Sequence, residues 1–414
     1  MAQTAIFRDV RVADFAWVGV GPMASQNLAL YGADVIRIES ALRPDTFRNG
    51  GPYPPGPRTL DSGAYFGNYN QNKRGITLNL ATEDGRCLAR EVVATADVVT
   101  ESFTAGTMAK FGLDYAALRA VRPDIVMISM SMAGHGGPWE RFAAFGLNLQ
   151  AQVGFTHLTG WPDRPPAGTG VAYTDWVATH VAAATLLAAL DHRRRTGEGQ
   201  WIDLSQLEAS LYALDATLLD AGANGRDMAR VGNRHPFHAP HGIYPCALED
   251  EPPSGSEETR WIALACTGDS EWRALRDALP EARLAGDPRF ATLLGRLENQ
   301  DALDAALAAA TRSMPIDDLE ARLRAAGVSC SRVATVADVQ HDPQLWQRQH
   351  FSELVHPVLG SLTWDLPAYR LREHPRPPVR PAPLLGQDNA AVIGELLGHG
   401  DEALAALVAE GALT

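Results

Sequence analysis

Lysine is almost missing from this chain. Of its 36 basic residues in 414, only Lys73, in "NYNQNKRGITL", and Lys110, in "TAGTMAKFGL", are lysines; every other cation is an arginine. Those two sites suit what arginine lacks, a compact ammonium on a flexible stem of the kind that contacts phosphates. Chance survival under a coding bias toward arginine explains the same two positions. Positive charge is also short overall: 49 acidic residues give a formal net charge of -13. That excludes nucleic acid and anionic membrane as expected partners, and a small anion would need a local positive pocket. No apolar run reaches about 18 residues without polar interruption, and "MAQTAIFRDVRVADF" lacks the basic-then-apolar pattern of a signal peptide, so the expected location is cytoplasmic.

Cysteine is sparse and scattered. Cys87, Cys246, Cys266 and Cys330 form no C-x-x-C pair, so neither a zinc site nor a disulfide framework is expected, only reduced core residues. The phosphate-cradling G-x-x-x-x-G-K-[ST] is absent, "GVGPMA" fails the dinucleotide G-x-G-x-x-G spacing, and no G-x-S-x-G elbow occurs. His235, His238 and His241 in "RHPFHAPHGIYP" stand three apart, but Pro236 and Pro240 prevent a helix from aligning them and no carboxylate or cysteine accompanies them. No metal is expected there; an ordinary loop or substrate-facing histidines are.

What is present is an α/β rhythm. A chain this long is expected to form two domains. "VRVADF" reads as a buried strand, "VGVGP" as a turn, "PMASQNLALYG" as a helix beginning at its proline, and "ADVIRIE" as a second strand. Strand "GITLNL", helix "TEDGRCLAREVVATA" with a threonine cap, strand "DVVTES", helix "DYAALRAVRP" and strand "DIVMISMS" follow, which predicts a parallel, doubly wound sheet. From about residue 226 the character changes. "GIYPCAL" and "RWIALACTG" predict a hairpin joined by the acidic loop "EDEPPSGSEET", followed by helices and the strand "CSRVAT". The proline-rich "HPRPPVRPAPLLGQDNAAVIGELLG" predicts an extended connector into one last helix.

One junction carries the chemistry. "GTGVAYTDWVATHVAAATLLAAL" passes from glycines into a long apolar helix with Asp175 at the turn. An acidic side chain there caps the helix by accepting from free backbone N–H groups, or it is a carboxylate kept available for attack.

Taken in order, "RVADFAWVGVGPMASQNLALYGADVIRIES", "NYNQNKRGITLNL", "VVTESFTAGTMAKFGLDYAALRAVRPDIVMISMS", "GVAYTDWVATHVAAATLLAALDHRRRTGEGQWIDLSQLEASL" and "APLLGQDN" resemble the class III CoA-transferase family, which contains formyl-CoA transferase, carnitine CoA-transferase and α-methylacyl-CoA racemase. The resemblance implies a large Rossmann-like domain with a parallel sheet built from both chain ends (1–225 completed by 345–414), a smaller α+β domain (226–344), and an interlocked homodimer. It implies Asp175 as the catalytic nucleophile and no tightly bound cofactor, with coenzyme A as substrate and product. CoA-binding positions fall by resemblance on Ala16, Trp17, Val18, Lys73, Arg74, Ser102, Phe103, Lys110 and Phe111. The implied reaction moves CoA reversibly from an acyl-CoA, with succinyl-CoA as the expected donor, to a carboxylic acid. It would pass through an aspartyl-anhydride and an aspartyl-CoA thioester, and acyl-CoA racemisation is the alternative. Two departures bear on that choice. Phe145 stands near the place of the racemases' proton-carrying histidine, and "RHPFHAPHGIYP" replaces the glycine-rich loop of formyl-CoA transferases, so His238, His241 and Phe145 are the expected substrate-facing residues.

Overall fold

The computed structural model describes residues 5–247 and 259–414. The chain divides into two compact units: Met1–Thr156, Gly168–Met228 and Gln349–Thr414 form the first, His157–Ala167 and Ala229–Arg348 the second. The short stretch His157–Ala167, which the expected span 226–344 left out, thus belongs to the second unit.

The first unit is built on six strands: β1 (Arg11–Asp14), β2 (Asp34–Glu39), β3 (Arg74–Thr77), β4 (Val98–Glu101), β5 (Val126–Ser131) and β6 (Trp201–Ser205). They pair in the order β3-β2-β1-β4-β5-β6, every pair parallel, and all lie within Arg11–Ser205, so the expected sheet built from both chain ends is corrected: among the described residues the C-terminal part adds no strand to it. Successive side chains of a strand face opposite ways, and here both faces are covered. Val12 and Val98 pack on one side with Ala24, Leu28, Ala182 and Leu186. Ala13 and Val99 pack on the other with Leu88, Val92 and Leu118. The strand order runs outward in one direction from β1 and in the other from β4. The carboxyl ends of β1 and β4 meet at that switch, the usual ligand position in sheets of this kind.

Several local expectations shift. The first helix spans Val20–Ala29, so Pro22 is its third residue and not its first; the first turn's N–H groups have no helical partner, so proline is tolerated there. The Thr82 hydroxyl accepts from Gly85 N at 3.1 Å at the start of helix Glu83–Ala94, as a threonine cap should. The C-terminal connector returns to the edge of the sheet, where Asp388 and Asn389 side chains accept from Gly75 N and Thr77 N of β3 at 2.7 and 2.9 Å. It leads into two helical segments, Ala390–Leu396 and Asp401–Ala409, where one was expected.

In the second unit β7 (His241–Pro245), β8 (Trp261–Ala265) and β9 (Ser329–Arg332) form an antiparallel sheet in that order. Trp272, Leu275, Leu303, Leu307, Leu319 and Leu323 from its helices bury against this sheet. The expected hairpin loop 249–259 lies, but for its last residue, outside the described residues. The first unit also holds a hairpin the sequence reading did not anticipate, β10 (Phe351–His356) with β11 (Gly360–Asp365). No described helix is long and apolar enough to cross a membrane.

Candidate active site

A cavity of about 240 Å³ opens in the crevice between β1 and β4. Its walls come from Trp17, Val18 and Gly19 after β1, from Ser102, Phe103 and Thr104 after β4, and from Phe145, Asp175 and Gln206. The two loops are tied together: Ser102 Oγ accepts from Trp17 N and donates to Trp17 O, each at 2.9 Å, and the Phe103 ring meets Trp17 edge-on at 5.5 Å. Val18 is held with φ of +65°, a left-handed conformation that a β-branched residue resists. Its N–H is fixed by the buried Asp45 carboxylate at 3.1 Å, which also accepts from Arg37 Nη2 at 2.5 Å.

Below this turn lies Asp14, fully buried at the end of β1. Its carboxylate accepts from Ala16 N, Ser25 Oγ, Thr100 Oγ1 and Lys73 Nζ at 3.2, 2.8, 2.7 and 2.9 Å. Lys73 donates its other protons to Pro22 O and Asn70 Oδ1, each at 2.9 Å. An ammonium has three protons, and all three are taken inside the protein. The expectation that Lys73 contacts a CoA phosphate is therefore corrected: it is a buried structural cation. Burial pulls its pKa down to about 8, with the Asp14 charge opposing the fall. Arg74 is likewise engaged, with Nε and Nη2 on the two oxygens of Asp34 at 2.8 and 2.6 Å. Lys110 is exposed, with no hydrogen bond or ion pair among the described residues. Phe111 packs half-buried on the core, and Ala16 is buried beneath the turn.

Asp175 is the third residue of the helix Tyr173–Thr196. The helix begins at Ala172 without a side-chain cap, so Asp175 is not the cap that its position in the sequence suggested. Its half-buried carboxylate has no hydrogen-bond or ionic partner among the described residues, and burial alone raises its pKa to about 6. At neutral pH it is largely ionised, more basic than an ordinary aspartate, and unshared.

The helix brings it there through its small residues. Ala178, Ala182, Leu186 and Ala189 form a buried stripe, and the alanines let the helix lie close to Val20–Ala29. Thr179, one turn after Asp175 on the same face, donates Oγ1 to Val20 O at 3.2 Å. Asp175 consequently lies against Gly19: a Cβ built on Gly19 would stand 2.5 Å from Asp175 Oδ2.

The cavity thus assembles Trp17, Val18, Ser102, Phe103, Phe145 and Asp175 from the expected set, and leaves out Ala16, Lys73, Arg74, Lys110 and Phe111. His238 and His241 belong to the second unit. There the His235 and His238 rings stack at 4.4 Å, and His241 Nδ1 is 2.6 Å from Asn233 O. No group of three or more described metal-ligating side chains is arranged to hold a metal ion. Gly19 and Gln206 went unnoticed in the sequence. Gly19 read as a turn residue, and Gln206, whose Nε2 donates to Met130 O at 3.1 Å, carries no local signal. Cys246 and Cys266 are buried thiols whose pKa values burial raises to about 11 and about 12, which makes them poor nucleophiles.

A lone ionisable carboxylate in the crevice of a six-stranded parallel sheet defines an α/β enzyme site built around an acidic side chain. The chain belongs to CoA-transferase family III, whose profile matches residues 7–389, and it is a CoA-transferase. It is 34% identical over 402 residues, covering 97% of this chain and 96% of the relative, to succinyl-CoA–D-citramalate CoA-transferase of Chloroflexus aurantiacus. Succinate–glutarate CoA-transferase of Agrobacterium fabrum is 32% identical, with 94% of each chain covered. Among solved structures, a CaiB/BaiF family protein from Brucella suis superposes with a TM-score of 0.85 at 34% identity, covering 95% of this chain and all of that one.

Proposed function

We propose that this enzyme transfers CoA between succinyl-CoA and a second small carboxylic acid, with Asp175 as the covalent carrier. The observation that supports it most is that Asp175 is the one titratable side chain among the residues lining the cavity, and that nothing competes for its oxygens. Exchange of one thioester for another is nearly isoenergetic, so no nucleotide triphosphate is required, but the acyl group must be held while the acids change places. Asp175 attacks the succinyl-CoA carbonyl carbon; the C–S bond breaks, giving a mixed anhydride on Asp175 and CoA thiolate. The thiolate then attacks the aspartyl carbonyl, releasing succinate and leaving an aspartyl-CoA thioester. The acceptor carboxylate attacks that thioester to form a new anhydride, and the returning thiolate attacks the acceptor's acyl carbon, freeing Asp175 and the new acyl-CoA. The names of the Chloroflexus and Agrobacterium relatives pair succinyl-CoA or succinate with other small dicarboxylic acids, which favours this substrate class.

Racemisation would need two proton carriers flanking one carbon, and Phe145 cannot serve as the second. Trp17, Val18, Ser102 and Phe103 would flank the reactive end of CoA, with exposed Lys110 as the cation for its phosphates. His238 and His241 are proposed as acceptor contacts, and the working form as an interlocked homodimer.

Incubation with succinyl-CoA followed by intact mass measurement tests the reading. Wild type should gain an adduct of succinyl or CoA mass that hydroxylamine removes, and Asp175→Ala should gain none. Equal masses with and without substrate, in protein that binds CoA, would overturn it.

A further inference from the structure

Val18 and Gly19 have their side chains the wrong way round for their backbones. Val18, β-branched, is at φ of +65°, where glycine is the comfortable residue. Gly19, next to it, is at φ of −94° and ψ of −79°, on the negative-φ side of the map that side-chain-bearing residues populate. Its lack of a side chain is therefore not explained by φ. The three nearest atoms that a Cβ on Gly19 would meet all belong to Asp175: Oδ2 at 2.5 Å, Cγ at 3.3 Å and Cβ at 3.5 Å. The helix cannot back away, because the buried Thr179 hydroxyl ties it to Val20 O and the alanine stripe packs the two helices together, so the movable end of the Asp175 side chain, its carboxylate, has to turn aside.

We infer that Gly19 is a positioning residue for the transfer reaction, whose missing side chain keeps Asp175 Oδ2 free to be acylated. The inference rests on the reading of Asp175 as the carrier. The attacking oxygen acquires a bulky substituent on becoming an anhydride, and its carbon does so on becoming a thioester. Both steps start from a carboxylate held in the place that the missing Gly19 side chain leaves it. A methyl group there would push the carboxylate off its line of approach, and misplacement of a reacting group by about 1 Å is enough to cost about 100-fold in rate. The rest of the CoA-binding wall would be untouched.

Gly19→Ala tests this in two measurements. In steady-state kinetics kcat should fall about 100-fold while the KM for succinyl-CoA stays within about threefold, and the covalent adduct should accumulate correspondingly slowly. In thermal unfolding, Gly19→Ala should lower the midpoint in the wild-type background and not in the Asp175→Ala background, since the three atoms nearest to the added methyl group all belong to the Asp175 side chain. Turnover and adduct formation at the wild-type rate would overturn the inference while leaving Asp175 as carrier. An equal loss of stability in both backgrounds, or failure of the double variant to fold, would overturn it too, by showing that the methyl group meets something else. Absence of an adduct on the wild type would instead remove the reading on which it rests.

Discussion

Asp175 carries a pH dependence of definite sign. Its pKa of about 6 lies above the ordinary aspartate value of 3.8, because burial penalises the charged form. In the proposed reaction the ionised form is the nucleophile, so kcat/KM should rise with pH through about 6 and level off above it. At pH 5 it should be about tenfold below the plateau, as a pH profile with succinyl-CoA would measure. The same shift has a price in stability. A carboxyl group with a raised folded pKa favours the folded state at pH below its unfolded value, and that contribution is lost as pH rises through the folded value. Asp175→Asn should therefore stabilise the protein by about 2 kcal/mol at pH 7.5, with the gain vanishing at about pH 3, below the unfolded pKa; denaturant unfolding at both pH values would check it. The position of this residue at a helix start was legible in the sequence. Its failure to cap was not, because capping depends on the backbone angles at Ala172.

At the scale of elements, the two lysines part company. Lys110 follows β4 and is exposed, whereas Lys73 precedes β3 and is enclosed by Asp14, Pro22 and Asn70. Lys110→Ala should weaken CoA binding about tenfold with no change in melting temperature. Lys73→Ala should destabilise the fold by about 3–5 kcal/mol, since it leaves the Asp14 carboxylate buried and unpaired. Calorimetric titration with CoA and thermal unfolding of the two variants would separate these outcomes. Sequence reading put both lysines at phosphates because the partner that captures Lys73 is 59 residues away on another strand. The alternation of apolar runs and capped helices made β1 to β5 legible. The β10–β11 hairpin was missed although Ser361–Asp365 alternates polar and apolar, and its Leu359 and Trp364 find their burial against Ala64 from a distant part of the chain.

For the whole molecule, the proposed homodimer has a surface to use. An apolar groove in the first unit is lined by Val181, Ile202, Leu211, Tyr212 and Leu218, and Tyr212 and Leu218 are 82% and 52% exposed. Large apolar side chains left open in a groove mark an association surface. Chains synthesised as Leu218→Arg should assemble poorly, with a single-chain fraction in light scattering at micromolar concentration, whereas the wild type should run at twice the chain mass throughout. Composition and the run of matching segments conveyed the enzyme class, but neither encodes which surface a second copy covers.

The first unit is closed by the last residues of the chain: Ala412 and Leu413 are buried in it, and Asn79 N donates to Ala412 O at 2.8 Å. A ribosome making this protein therefore releases the pieces in an awkward order. The main stretch of the second unit, residues 229–348, emerges and can fold while synthesis continues, but the sheet face that Val392, Ile393 and Leu413 cover stays bare until those residues have emerged. Chains cut short before residue 390 would display an open apolar sheet face, and quality control would meet them before any substrate did.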